Sequence, residues 1–272
     1  MVETKQLFIL IMETFPLNLS FSYAEVIAST VILATTIAFI WYWFLAQSEA
    51  VKNRFYSADE FDVASRKHIF FTKYMGFLIL GVFPLVLVMC LFGTSLADVG
   101  LTWYAKTTWF SFFWIAVLSI AVIPLAYRSA KKPENLINYP QIRAKRWTNK
   151  TFSINLIGWA IYLFGYELLF RGVLLFLLVD TLGVVAAIAI NVMMYAISHV
   201  PKGLSETLGA IPLGLVLCIL TLKSGTIWIA FFGAIYLGRP GTAYVTAVAP
   251  PVSLLISSII LMPTVGGGSF AP

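Results

Sequence analysis

Apolar residues come in long runs separated by short polar stretches, and the runs are apolar on both parities. A transmembrane β-strand would alternate apolar-out with polar-in positions, so this pattern predicts membrane-spanning helices instead. The first run of spanning length is 24–45, which ends in the Trp41-Tyr42-Trp43 belt expected at a membrane interface. Further runs follow at 70–92, 109–127, 151–179, 183–200, 208–222 and 226–237. A last stretch, 244–262, is interrupted by Pro250-Pro251 and reads as a broken helix. The apolar run at 7–12 is too short to cross and reads as interfacial. The expected fold is therefore all-α, a polytopic transmembrane bundle of about eight spans, the last three short or interrupted. No internal repeat is evident. One membrane domain is expected, with N-terminal helices and a basic loop (1–150), a core (151–237) and a divergent C-terminal segment (238–272).

The fourth run differs from the others. Its 29 residues would reach roughly 43 Å as a helix, against a ~30 Å hydrocarbon core. It must tilt, protrude or break, and Gly158 and Gly165 are the natural places to give. It also holds two charges, Glu167 and Arg171, four residues apart on one helical face with the acid first, the favourable order for a pair. A charge at membrane depth costs at least ~2.5–3.5 kcal/mol on insertion scales, so such residues usually face a partner or a cavity. Taken alone, the pair reads either as a salt bridge that lets two costly residues share a span or as part of a functional site.

The next span favours the second reading. Asn191, Tyr195 and His199 follow at four-residue spacing, so one helical face carries three polar-tipped side chains. A buried carboxylate is a competent general base, and a nearby imidazole stabilises an oxyanion or binds a metal. The chain's other histidine, His68, lies in the polar segment 47–67 and its edge, where it needs no explanation.

Composition narrows the class without changing it. Of 272 residues, 60% are hydrophobic and only 11% charged, against about 25% charged in soluble domains. Mean hydropathy is +0.90. The net charge of +6 does not point to nucleic acid, because the basic residues cluster in membrane-flanking loops. The densest such loop is 128–150, where Glu134 is the sole acid, and Lys/Arg excess marks it as cytoplasmic. Cys90 and Cys218 both fall mid-span and are expected to be packing residues rather than a disulfide or metal pair. The start of the chain lacks a basic n-region and so lacks a cleavable signal pattern.

At this point the residues resemble a known family. Tyr166-Glu167-Leu168-Leu169-Phe170-Arg171-Gly172 resembles the first motif, Glu-Glu-x-x-x-Arg then Gly, of the CAAX protease and bacteriocin-processing (CPBP) family. Tyr195-Ala196-Ile197-Ser198-His199 resembles its second, Phe-x-x-x-His, with Tyr for Phe. The 28-residue step from Arg171 to His199 agrees with the family spacing, and Ile211-Pro212-Leu213-Gly214 and Ser224-Gly225-Thr226-Ile227-Trp228 resemble the approach to its third motif. The resemblance implies an eight-helix intramembrane endopeptidase, with Glu167 activating water, His199 assisting and Arg171 as the motif arginine. Tyr166, Asn191 and Tyr195 are the supporting candidates.

The sequence also departs from the family pattern. Tyr166 stands where the first glutamate is expected, and neither His nor Asn appears near Ala234 and Gly238, where the third motif would place them. Zinc enters only through the resemblance. Glu167 and His199 alone are too few ligands, since zinc takes three protein donors plus water, so no metal is assigned. The expected location is an integral membrane position, in a prokaryotic plasma membrane, with membrane lipids and a peptide or lipidated peptide as partners. The alternative is a member that has lost proteolysis and acts as a scaffold or immunity-type partner. A transporter would want discontinuous-helix sites in two related halves, and the sequence shows one site and no repeat.

Overall fold

The structure is a computed structural model, and it describes residues 22–103, 109–117, 120 and 141–237. Those residues are helical with short connections, and no strand occurs among them. Helix α1 is Tyr23–Ala46, and α2 is Glu49–Tyr56. Helix α3, Phe61–Gly76, continues without a break through a π-helical turn, Phe77–Val82, into α4, Phe83–Phe92. Helix α5, Asn149–Glu167, likewise continues through a longer π segment, Leu168–Phe176, into α6, Leu177–Leu182. Helix α7 is Val184–Ile197, followed by a 3-10 turn at Val200–Lys202, then α8, Leu204–Ser224, and α9, Trp228–Leu237.

Among the described residues, five helices are long and apolar enough to cross a membrane: Tyr23–Ala46, Phe61–Phe92, Asn149–Leu182, Val184–Lys202 and Glu206–Ser224. They match expected spans one, two, four, five and six. Helix α9 has 10 residues, about 15 Å, which is too short to cross alone. Residues 109–117 of the expected third span are helical. The rest of that span lies outside the described residues, as do 1–21, most of the basic loop and the whole of 238–272.

Polar segment 47–67 corrects one expectation. It is not a loop: Ser48 caps α2 by accepting from the Val51 N–H, and α3 begins within the segment at Phe61. His68 is consequently buried on α3, its ring 5.8 Å from that of Phe55 and 6.1 Å from that of Tyr56. The cysteines divide: Cys218 is buried, whereas Cys90 is exposed and packs no core.

The long helix α5–π–α6 is the centre of the bundle. Its residues Gly165–Leu175 are all buried. Thr151, Asn155, Gly158, Tyr162 and Gly165 repeat at steps of four and three, a seam that faces α3. Contacts climb together along both helices, from Arg66 with Thr151 through Lys73 with Gly158 to Gly76 with Tyr162. The two helices therefore run parallel, and both begin on the side of the basic loop. Gly81 and Gly165 end the seam at backbone contact. A Cβ on Gly165 would lie 2.7 Å from the Cα of Phe77, and one on Gly81 2.7 Å from the Cα of Gly165. Small residues permit this approach, as they do in membrane helix pairs generally.

Asp62 and Ser65 of α3 hold the chain leading into α5. The Asp62 carboxylate accepts from the Lys145 and Arg146 N–H groups at 2.8 and 3.2 Å, and the Ser65 hydroxyl from the Arg143 N–H at 2.8 Å. The expected tilt, protrusion or break resolves as a continuous helix of 34 residues that rewinds from α to π. The π turn in the α3–α4 helix has a local cause, because Pro84 lacks the N–H that an α-helix would direct to Leu80.

Candidate active site

Glu167 is the last residue of α5, and Arg171 lies one turn into the π segment. Such segments frequently occur at functional sites. Both side chains are fully enclosed, at 1% and 0% exposure, so neither faces lipid. Arg171 Nη1 lies 3.2 Å from Glu167 Oε2. The contact is an ion pair without hydrogen-bond alignment, and neither the carboxylate oxygens nor the guanidinium nitrogens have a hydrogen-bond partner among the described residues. The guanidinium instead lies over the Tyr195 ring, Cζ 4.2 Å from its centroid. A cation held this way gains ~2 kcal/mol or more when desolvated.

Helix α7 runs antiparallel to α5 and presents Asn191, Tyr195 and His199 to it. All three are buried. The Asn191 amide donates from Nδ2 to the Phe170 carbonyl in the π segment, and its Oδ1 accepts from Cys218 Sγ at 3.2 Å. Asn191 thus ties α7 to the rewound helix and to α8. The Tyr195 ring stands 4.7 Å from the His199 ring and 5.8 Å from the Tyr166 ring. It is the side chain through which the charged pair and the imidazole are in contact.

A second connection runs through Ser198, which nothing in the motif spacing singled out. Ser198 Oγ is 2.7 Å from Tyr166 Oη, 2.7 Å from the Tyr195 carbonyl and 3.2 Å from His199 Nδ1. A carbonyl only accepts, so the Ser198 proton goes to Tyr195 O, and Tyr166 must be the donor to Ser198. His199 Nδ1 also lies 2.8 Å from that carbonyl. Nδ1 therefore carries a proton, and Nε2 is the nitrogen whose protonation can change. The carbonyl belongs to the last turn of α7, where helical carbonyls have no N–H of their own helix to accept from.

Residues 148–233 match the family model described as type II CAAX prenyl endopeptidase Rce1-like. The match covers about a third of the chain and supports membership of the CPBP family. The matched range begins at the N-cap of α5 and ends within α9, so it takes in both motif helices and Arg171. No curated protein and no solved structure matches the chain. The family match and the apolar helices together point to an integral membrane protein, and the match supports, at family level, a CPBP-type protease domain over residues 148–233.

The described residues fall short of the donor set of a catalytic zinc. No group of three or more His, Cys, Asp or Glu side chains converges among the described residues, and a catalytic zinc takes three protein ligands. Of the expected third-motif positions, Ala234 is in α9 and Gly238 lies outside the described residues.

Proposed function

We propose that the chain is a CPBP-type intramembrane endopeptidase in which Glu167 activates the attacking water. The observation that supports this most directly is the state of Glu167: a buried carboxylate, balanced by Arg171, to which the described residues offer no hydrogen-bond donor. Its lone pairs are available to a water. Glu167 takes a proton from that water as the oxygen attacks the scissile carbonyl carbon, and the proton then passes to the leaving nitrogen. His199, fixed through Nδ1 on the Tyr195 carbonyl, donates from a protonated Nε2 to the oxyanion. Arg171 keeps the buried negative charge compensated and stays out of the bond-making steps. The substrate is a membrane-associated peptide, lipidated or not. The membrane is that of a prokaryotic cell, the loop 128–150 is cytoplasmic, and the three runs beyond the five long helices complete an eight-span bundle.

One observation favours the non-catalytic alternative, a membrane scaffold or immunity-type partner. Tyr166, in the place of the first motif glutamate, is committed to Ser198 as a donor and is no base. The two readings separate in one assay, with the parent chain and Glu167→Gln at equal membrane abundance on a peptide library. Positioned acid–base groups contribute about 10²–10⁴-fold, so the proposal expects cleavage by the parent and almost none by Glu167→Gln. Equal cleavage by both displaces the site, and cleavage by neither supports the scaffold.

A further inference from the structure

Tyr166 stands where the first motif glutamate is expected, and its hydroxyl reaches across to the next helix. The ring is 7% exposed and packs against those of Phe170 at 4.7 Å, Tyr195 at 5.8 Å and Tyr162 at 5.9 Å. Packing on three rings fixes where the hydroxyl points, and it meets Ser198 Oγ at 2.7 Å, at the C-terminal end of α7. Ser198 has one proton and three polar neighbours: Tyr166 Oη, the Tyr195 carbonyl at 2.7 Å and His199 Nδ1 at 3.2 Å. The carbonyl only accepts, so it takes that proton. Toward the other two the Ser198 oxygen presents lone pairs alone.

This chain of bonds has a direction. Donation by Tyr166 into the Ser198 oxygen strengthens the bond that Ser198 itself donates, which holds the serine proton on the carbonyl. His199 Nδ1 then faces two acceptors, the Tyr195 carbonyl at 2.8 Å and Ser198 Oγ at 3.2 Å. A serine hydroxyl without that polarisation turns more readily. It donates to an unprotonated Nδ1 as well as it accepts from a protonated one, and so selects neither tautomer. Selection of the Nδ1–H form is therefore a property of Tyr166, Ser198 and His199 together, not of Ser198 alone. One neutral hydrogen bond of ordinary net strength moves such an equilibrium about fivefold.

We propose that Ser198, polarised by Tyr166, is the positioning residue of His199. It fixes the imidazole with a proton on Nδ1, leaving Nε2 as the nitrogen that serves the reaction, and Tyr166 acts on His199 only through it. The phenol in the glutamate's place is thus part of the histidine's support rather than a substitute base. The proposal rests on the endopeptidase reading for the reaction that His199 serves, whereas the tautomer is measured without any substrate. The test uses the full chain in detergent micelles, isotopically labelled at the imidazole nitrogens, with nitrogen–proton NMR at a pH where the imidazole is neutral. The chain has two histidines, and His199→Gln identifies the signals of His199. The parent should carry its proton on Nδ1. Ser198→Ala should lower the ratio of Nδ1–H to Nε2–H about fivefold, and Tyr166→Phe should move it the same way by no more. Both changes together should match Ser198→Ala alone, and Ser198→Thr, which keeps the hydroxyl, should stay with the parent. A merely structural role would lower the yield of folded chain and leave the tautomer of the folded fraction unmoved. On a peptide that the parent cleaves, Ser198→Ala should lower kcat about fivefold with KM unchanged, because the lost bond held the ring in the position the transition state requires. A parent with its proton on Nε2, a ratio unmoved by Ser198→Ala, a double change that shifts it further than Ser198→Ala, or an unchanged kcat overturns the proposal. A parent that cleaves nothing while the tautomer shifts as stated removes the endopeptidase reading and leaves Ser198 and Tyr166 as the support of His199.

Discussion

Arg171→Met is the perturbation with the largest expected consequence for stability. At 3.2 Å and an effective dielectric of ~20, the pair attracts by about 5 kcal/mol. Both groups are fully buried, so most of that attraction offsets desolvation rather than adding net stability. Removing one partner leaves the other uncompensated, which costs about 3–5 kcal/mol. Arg171→Met should cost that much. Glu167→Gln should cost less, because the remaining guanidinium keeps the Tyr195 face, worth ~2 kcal/mol or more when desolvated. The double variant should be less destabilised than the two single changes added together, by a coupling of about 1–3 kcal/mol. The assay is reversible unfolding of the purified chain in mixed micelles with increasing sodium dodecyl sulfate, followed by circular dichroism. A double variant as unstable as the two single changes added together would refute the reasoning, since the charges would then not compensate each other.

The Tyr166–Ser198 contact should show an asymmetry. Tyr166→Phe removes only the donor and should cost about 0.5–1.5 kcal/mol, whereas Ser198→Ala leaves a buried phenol unpaired and should cost about 1–3 kcal/mol, both read in the same unfolding assay. Gly165→Ala should destabilise by about 1–3 kcal/mol or more, because its Cβ meets the α3–α4 backbone, which cannot move aside. Gly158→Ala meets only ordinary contacts at 3.4–3.6 Å and should fold like the parent, a contrast that thermal melting checks. Asn191→Leu should cost about 1–3 kcal/mol by orphaning the Phe170 carbonyl, with faster amide exchange confined to the π segment.

Span existence was legible because apolar run length is a direct consequence of bilayer thickness, and five runs became long helices at close to their expected ends. Helix 61–76 was not legible as an extension of span two. Its polar first half carries Asp62, Arg66, Lys67 and His68, and hydropathy cannot tell such a stretch from a loop once it stands outside the apolar run. What orders it is the α5 seam and the bonds of Asp62 and Ser65 to the chain at 143–146, contacts between segments about 80 residues apart. Hydropathy also hid Lys73. Lys73 falls inside the run 70–92, and only the parallel packing of α3 on α5 sets it against Trp159 and Tyr162.

The site raised a geometric difficulty that the packing answers. His199 ends its span on the basic-loop side, while Glu167 lies 16 residues into its own, so a straight reading puts them at different depths. Contacts between the antiparallel helices set the register: Asn191 meets Phe170, Tyr195 meets Tyr166, and Ser198 meets Tyr166. By the same register His199 stands opposite Tyr162, roughly 7–8 Å before Glu167 along the helix axis. The first four turns of α5 lie before Glu167 with α3 running parallel beside them, and these are the turns that carry Asn155, Trp159 and Tyr162. The extra length of the fourth run thus brings Glu167 to within one to two turns of His199, and its first turns carry the rings of Trp159 and Tyr162 that meet Lys73.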